Sequence, residues 1–419
     1  MAARPLFLEE LAEVLVFDFD DASGRIPELN ADWRREDQEH AVLSTCSSLV
    51  TVVHDEGKRI VQFSHFSVKE FLTSDRLTAV ADISFHHIAL EPANRILAQA
   101  CLGVLLLLDD STREALTQRF PLLSYSSQYW VYHSLFANVS LHIKDGLENL
   151  FDSAQPHISR LIRIFDMEYD RWTGTDSSER VEEAIPMYYA ALFGFHDIVE
   201  KLIGDHPEHM DVWGGPKGTA LHAAATYNRI KVAQSLLNHG ADVNSLGPQR
   251  ATPLHHASEF GHLEVARFLL EFGADAAAKD ENSWTPLHEA VFSEHLEFVQ
   301  MLLTHNADII DVQDSSGRTP LYFAITRRHD TLVRFLLNSG ADPNRSGKDR
   351  STPLHWASGM RNLEIAHLLL EFGAEANAED DEGRTAYQIA LEEAREEGYD
   401  PGYDEMAQLL SGHGVEKKT

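Results

Sequence analysis

The chain of 419 residues is 43% hydrophobic and 24% charged, enough apolar content for about two to four folded domains, so a wholly disordered chain is excluded. Asp and Glu number 66 against 35 Lys and Arg, a formal charge of −31. That balance repels phosphate backbones and anionic lipid, so neither nucleic acid nor a membrane surface is expected as a partner.

Cys46 and Cys101 are the only cysteines, too few for a disulfide framework or a zinc cluster; a reducing, cytoplasmic setting is expected. The opening stretch, MAARPLFLEELAEVL, is interrupted by Glu9 and Glu10 and lacks the apolar core of a secretory signal. It reads as an amphipathic helix, followed by a second helical stretch around Asp37 to Cys46. LVTVV from Leu49 and RIVQF from Arg59 then flank the turn HDEGK and predict a β-hairpin. In the following SHFSVKEFLTSDRL, Ser67 and Glu70 form a capping box for another helix. Helices, a two-stranded wing and a further helix predict a winged-helix-like module over residues 1–82.

Residues 83–180 contain NRILAQACLGVLLLL and FPLLSYSSQYWVYHSLFA and predict a helical linker domain, with Trp130 in its core and His133 on a helix surface. The longest strongly apolar run, Cys101 to Leu108, falls well short of the roughly 18 residues needed to cross a bilayer.

From residue 181 to 419 the chain repeats itself. Tetrads stand at Thr219 (TALH), Thr252 (TPLH), Thr285 (TPLH), Thr319 (TPLY), Thr352 (TPLH) and Thr385 (TAYQ), at spacings of 33, 33, 34, 33 and 33 residues. Threonine accepts from the free amides of a new helix, and proline next to it has no amide to leave unpaired. Leucine turns inward, and the histidine can hydrogen-bond back to the threonine and to neighbouring backbone, which assigns His222, His255, His288 and His355 to the scaffold. A second helix in each unit ends near Gly240, Gly273, Gly340 or Gly373, residues suited to a left-handed C-cap. Asn306 holds that position in one unit, as the next most tolerant residue. Turns such as KDENSW, DSSGR and GKDRS separate the units. Period and motif closely resemble the ankyrin repeat, implying an α-solenoid of about seven units, the first and last degenerate, and a mainly α chain overall.

The string VQFSHFSVKEFLTS resembles the winged-helix segment of fungal NACHT-ankyrin signalling ATPases of the STAND class. Phe63, His65, Glu70 and Phe71 match the pattern Phe-x-His-x-x-x-x-Glu-Phe of that class. The resemblance implies that His65 stands where the family's histidine contacts the phosphates of a bound nucleotide in the closed form. The family's phosphate-binding G-x-x-x-x-G-K-[ST] loop does not occur, and GGPKGT at Gly214 to Thr219 has the wrong spacing. The chain thus resembles the C-terminal part of such a protein without its NTPase domain.

No catalytic arrangement is expected. The sequence has no G-x-S-x-G and no H-E-x-x-H: His288 and Glu289 are followed by Phe292 where a second ligand should stand. Neither a metal nor another cofactor is therefore expected. Function is expected to lie in protein binding. In the ankyrin scheme the contact positions are the two residues after the inner-helix alanines and the residue before the tetrad threonine. They include Tyr227, Phe260, Phe292, Arg327 and Met360, with Trp284, Arg318 and Arg350 near the turns. Aromatic and arginine side chains are favoured interface anchors; the competing use of Phe260 and Phe292 is packing between repeats. The acidic balance favours a basic protein partner. The alternative function is the regulatory portion of a nucleotide-dependent switch, with His65 as its specific residue.

Overall fold

The computed structural model describes residues 90–165, 185–396 and 401–413, with the backbone of four short strands before them. Strands β1 (Phe17–Asp18) and β2 (Glu28–Leu29) pair antiparallel. So do β3 (Val50–Asp55) and β4 (Lys58–Phe63), in a register from Val50 opposite Phe63 to Asp55 opposite Lys58. The expected hairpin is present, with strands that run further into HDEGK than the apolar pattern marks. The expected helices before residue 83, Cys46, His65 and the Ser67/Glu70 cap lie outside the described residues.

The chain falls into two compact units. The first contains α1 (Leu90–Leu106), α2 (Arg113–Arg119), α3 (Leu123–Ser134), α4 (Val139–His142), α5 (Lys144–Leu150), α6 (His157–Ile164), and the helix pair α7 (Pro186–Phe193) and α8 (His196–Asp205). The Thr112 hydroxyl caps α2 by accepting from the Ala115 amide. Trp130 is the hub of this unit: fully buried, its ring lies 5.1 Å from Phe193, 5.4 Å from Phe195 and 6.3 Å from Phe151. IPMYYAALFGFHDIVEKLI from Ile185, with Pro186 34 residues before Ala220, makes α7 and α8 a degenerate repeat by sequence; by packing, they share the aromatic core of the preceding helices.

His133 differs from its expected helix-surface place. It is buried, donating from Nδ1 to the Asn94 amide oxygen at 2.7 Å and accepting at Nε2 from the Tyr125 hydroxyl at 2.7 Å. Desolvation pushes its pKa down to about 4. The partner that permits this burial lies on α1, 39 residues away, beyond any local pattern.

The second unit stacks six helix pairs. Short inner helices, α9 (Ala220–Thr226), α11 (Pro253–Glu259), α13 (Pro286–Phe292), α15 (Pro320–Thr326), α17 (Pro353–Gly359) and α19 (Ala386–Glu396), alternate with outer helices. The outer ones are α10 (Ile230–Asn238), α12 (Leu263–Glu271), α14 (Leu296–His305), α16 (Asp330–Asn338), α18 (Leu363–Glu371) and α20 (Pro401–Gly412). Each inner helix packs on the next, and most outer helices do likewise. An outer helix buries one stripe, Val265, Ala266, Leu269 and Leu270 in α12, and leaves the rest to solvent.

The tetrads do what their chemistry dictates. In four of them the threonine hydroxyl and the histidine ring form a reciprocal capping box. The His288 Nδ1 accepts from the Thr285 amide at 3.0 Å and lies 2.9 Å from its hydroxyl, while Nε2–H donates to the Arg318 carbonyl of the next unit at 3.3 Å. His222, His255 and His355 repeat this, reaching the carbonyls of Ala251, Trp284 and Arg384. Each imidazole is thus a neutral staple between units. Burial drives the pKa of His222 to about 3 and those of His255 and His288 to about 4. In the degenerate last tetrad Gln388 takes over the cap, its Oε1 accepting from the Thr385 amide at 2.8 Å.

Gly240, Gly273, Gly340 and Gly373 all have φ between +89° and +98°, closing the outer helices as expected. Asn306 does not. Its φ is −146°, and its side chain accepts from the Asp308 amide to start a 3-10 turn, Ala307–Ile309. Asparagine can satisfy an amide with its own side chain, so it ends α14 by a different route from glycine.

Candidate protein-binding surface

The ends of successive inner helices carry the predicted contact residues in one row. Tyr227, Phe260, Arg327 and Met360 are the C-cap residues of α9, α11, α15 and α17, and Phe292 is the last residue of α13. Phe260 is 43% and Phe292 37% exposed; Arg327 is exposed, and Tyr227 and Met360 are half-buried. The Arg327 guanidinium lies over the Phe292 ring at 3.9 Å, a cation–π contact that holds both side chains at the surface.

Trp284 is engaged within the stack. Its ring lies 4.7 Å from Phe323 and 5.3 Å from Phe292, and its indole N–H donates to the Asp314 carboxylate at 3.3 Å. Arg318 is also committed: Nε and Nη2 both donate to Asp314 Oδ2 at 2.8 Å, and the guanidinium lies 5.0 Å from the Phe323 ring. Arg350 is exposed, on a turn where its φ is +57°. The turns themselves are joined in a ladder: Glu281 N–H donates to Gln249, Ser315 to Asn282, Lys348 to Ser316 and Asp381 to Asp349. Asp280, Asp314 and Asp380 each close their turn by accepting amides two and four residues on.

The structure adds residues that sequence reasoning passed over. The position after each tetrad is His256 in α11 and Glu289 in α13, four residues before Phe260 and three before Phe292. Desolvation, then the charges of Glu259 and Asp280, raise the Glu289 pKa to about 8. Both ring nitrogens of His256 are buried with no hydrogen-bond partner among the described residues. The only sequence signal is an ionisable side chain where the other units carry alanine, phenylalanine, tryptophan or isoleucine. Separately, His206, Glu208 and His209 bring three ligand atoms within 4.8 Å of one another on a short exposed turn. There the Glu208 carboxylate already lies 3.3 Å from His206 Nδ1.

Gly214 and Gly215 have a structural use. A Cβ at Gly215 would stand 2.2 Å from the Tyr188 ring, and one at Gly214 would stand 2.4 Å from the Tyr188 Cβ, so glycine is what lets the chain pass this aromatic side chain.

Residues 1–84 match the model of the GPI inositol-deacylase winged helix domain. The chain is 29% identical over 259 residues to the azaphilone pigments biosynthesis cluster protein L of Monascus ruber, an alignment covering 58% of this chain and 54% of that one. It is 36% identical over 74 residues to alpha-latrocrustotoxin-Lt1a of Latrodectus tredecimguttatus, covering 18% of this chain and 5% of the toxin. The chain therefore spans about half the length of the first relative and a small part of the second. Among solved structures, the ankyrin repeat domain of Bcl-3, of the IkappaB protein family, is 28% identical and covers 54% of this chain and 100% of its own, with a TM-score of 0.48. The ankyrin-repeat model itself matches three times, over residues 187–280, 272–347 and 339–419. Spanning more than half of the sequence, and realised as capped inner helices and glycine-closed outer helices, these matches show that the chain belongs to the ankyrin-repeat family.

Proposed function

We propose that the ankyrin stack holds a protein partner through the row formed by the inner-helix ends and the turns beside it. Ankyrin repeats are in general protein–protein interaction modules, and the observation that carries the reading is the exposed Phe260, Phe292 and Arg327 row. The tetrad histidines, by contrast, are consumed in joining the units. The charge of −31 favours basic side chains in the partner.

Capture of a partner by the intact chain, followed by affinity measurement with Phe260→Ala and Arg327→Ala, tests the reading. A loss of about tenfold in either variant at unchanged circular dichroism is expected, in line with a lost interface anchor. Unchanged affinity in both assigns binding elsewhere. Trp284 and Arg318 are poorer probes, because their truncation would also loosen the stack. Among the described residues no helix is long and apolar enough to cross a membrane.

The winged-helix match over residues 1–84 favours a second reading, the regulatory portion of a NACHT-type switch. In it, His65 contacts a nucleotide phosphate supplied by an NTPase domain. Titration of the chain with ADP, comparing the parent with His65→Ala, separates the two: binding lost in the variant supports the switch, and absent binding leaves the scaffold.

A further inference from the structure

Charge is not evenly spread along the repeats. Between Ser316 and Arg361 there are eight arginines and lysines against three aspartates, a local charge of +5 in a chain of −31. The stack gathers part of this surplus around a cavity of about 450 Å³ at the turn ends of α15 and α17. Arg318, Tyr322, Arg345, Lys348, Asp349 and Trp356 line it. Tyr322 and Trp356 meet edge to face at 5.0 Å, forming an apolar wall.

The cations differ in how they are engaged. Arg318 is bound to Asp314, and the Asp349 carboxylate accepts from the Ser351 amide at 3.1 Å. Lys348 and Arg350, which stands in the chain between the lining residues Asp349 and Ser351, are exposed, with no side-chain partner among the described residues. The floor is rigid: the Lys348 amide donates to the Ser316 carbonyl at 3.3 Å, and the Gln313 amide bridges the Gly317 and Ser346 carbonyls at 2.8 Å each. A Cβ at Gly317 would stand 2.7 Å from the Lys348 nitrogen, so the two turns are as close as glycine permits. A site already held in place loses little entropy on binding.

We propose that this cavity seats an acidic peptide segment of the protein partner. Its carboxylates meet Lys348, Arg345 and Arg350, and an apolar or aromatic side chain lies against Tyr322 and Trp356. The inference rests on the partner-binding reading above and gives that partner its chemistry at this end of the row. A carboxylate segment is favoured over nucleic acid because screening confines the patch's field to roughly 8 Å at physiological salt. A short acidic segment then feels chiefly the local surplus, whereas a phosphate polymer extends over the acidic remainder of the chain.

The test uses the full chain and three labelled probes: a short peptide of Asp and Glu around a central Phe, its Asn/Gln counterpart, and oligothymidylate. The acidic peptide is expected to bind, more weakly at high salt, and about tenfold more weakly to the exposed-surface variant Lys348→Glu/Arg350→Glu. The milder Lys348→Gln/Arg350→Gln variant, with unchanged circular dichroism, should lose part of that affinity. Equal binding of the Asn/Gln peptide, no effect of either variant, or tighter binding of oligothymidylate overturns the proposal. If Phe260→Ala releases the partner while the acidic peptide fails to bind, the inference alone falls; if the peptide binds while Phe260→Ala and Arg327→Ala leave the partner bound, the row is the part that fails.

Discussion

Each tetrad histidine joins two units by three contacts, so its removal exposes unpaired groups on both. In His288→Ala the Thr285 amide loses its acceptor and the Arg318 carbonyl its donor, and about 2 kcal/mol of stability should be lost in urea unfolding. His288→Gln should recover the cap but not the link to the next unit, as Gln388 does with Thr385. Because the folded pKa values of His222, His255 and His288 lie at about 3 to 4, below roughly 6.5 in the unfolded chain, unfolding takes up protons between those limits. Stability is therefore full above pH 6.5 and falls as the pH drops toward 4; unfolding midpoints measured across that range check the direction. Glu289 has the opposite dependence: its raised pKa means that the folded form is penalised as pH rises from about 4.5 toward 8. Glu289→Gln should raise the unfolding midpoint at pH 8 more than at pH 5. The tetrad roles were legible because all their cap partners lie within three residues; Glu289 was not, because its environment comes from Glu259 and Asp280 in other elements.

At the scale of the element, helix ends decide where each unit stops. Gly273→Ala keeps open space around its new Cβ but retains a φ of +89°, so a cost of about 1 kcal/mol is expected from backbone strain alone. Asn306→Gly separates the two ways of ending a helix. If asparagine merely stood in for a left-handed glycine, the change would stabilise; with Asn306 extended and capping Asp308, it should instead destabilise by about 1 kcal/mol in thermal or urea unfolding. The sequence located the end of α14 correctly and misassigned its conformation, because glycine and asparagine share one turn preference but only asparagine also offers a side-chain acceptor.

For the whole molecule, the sequence repeat and the packing divide the chain at different places. The pair α7 and α8 belongs to the series by motif, yet Phe193 and Phe195 lie against Trp130 and Phe151 of the first unit. A fragment beginning at residue 181 would bare these rings and is expected to bind hydrophobic dyes and aggregate. Dye binding by that fragment no stronger than that of the intact chain would show that these rings need no cover from Trp130 and Phe151.

Local chemistry was sufficient for the period, the tetrad caps, the glycine stops and the hairpin, since each is set by backbone geometry and hydrogen bonds within about four residues. Tertiary structure decided what depends on neighbours far along the chain. It buried His133 against Asn94, drew Trp284 into the stack against Phe323, buried Glu289 near Glu259 and Asp280, and brought turns about 31 residues apart into one basic cavity. Burial and electric field are sums over everything packed around a group, so they exist only once the units have stacked.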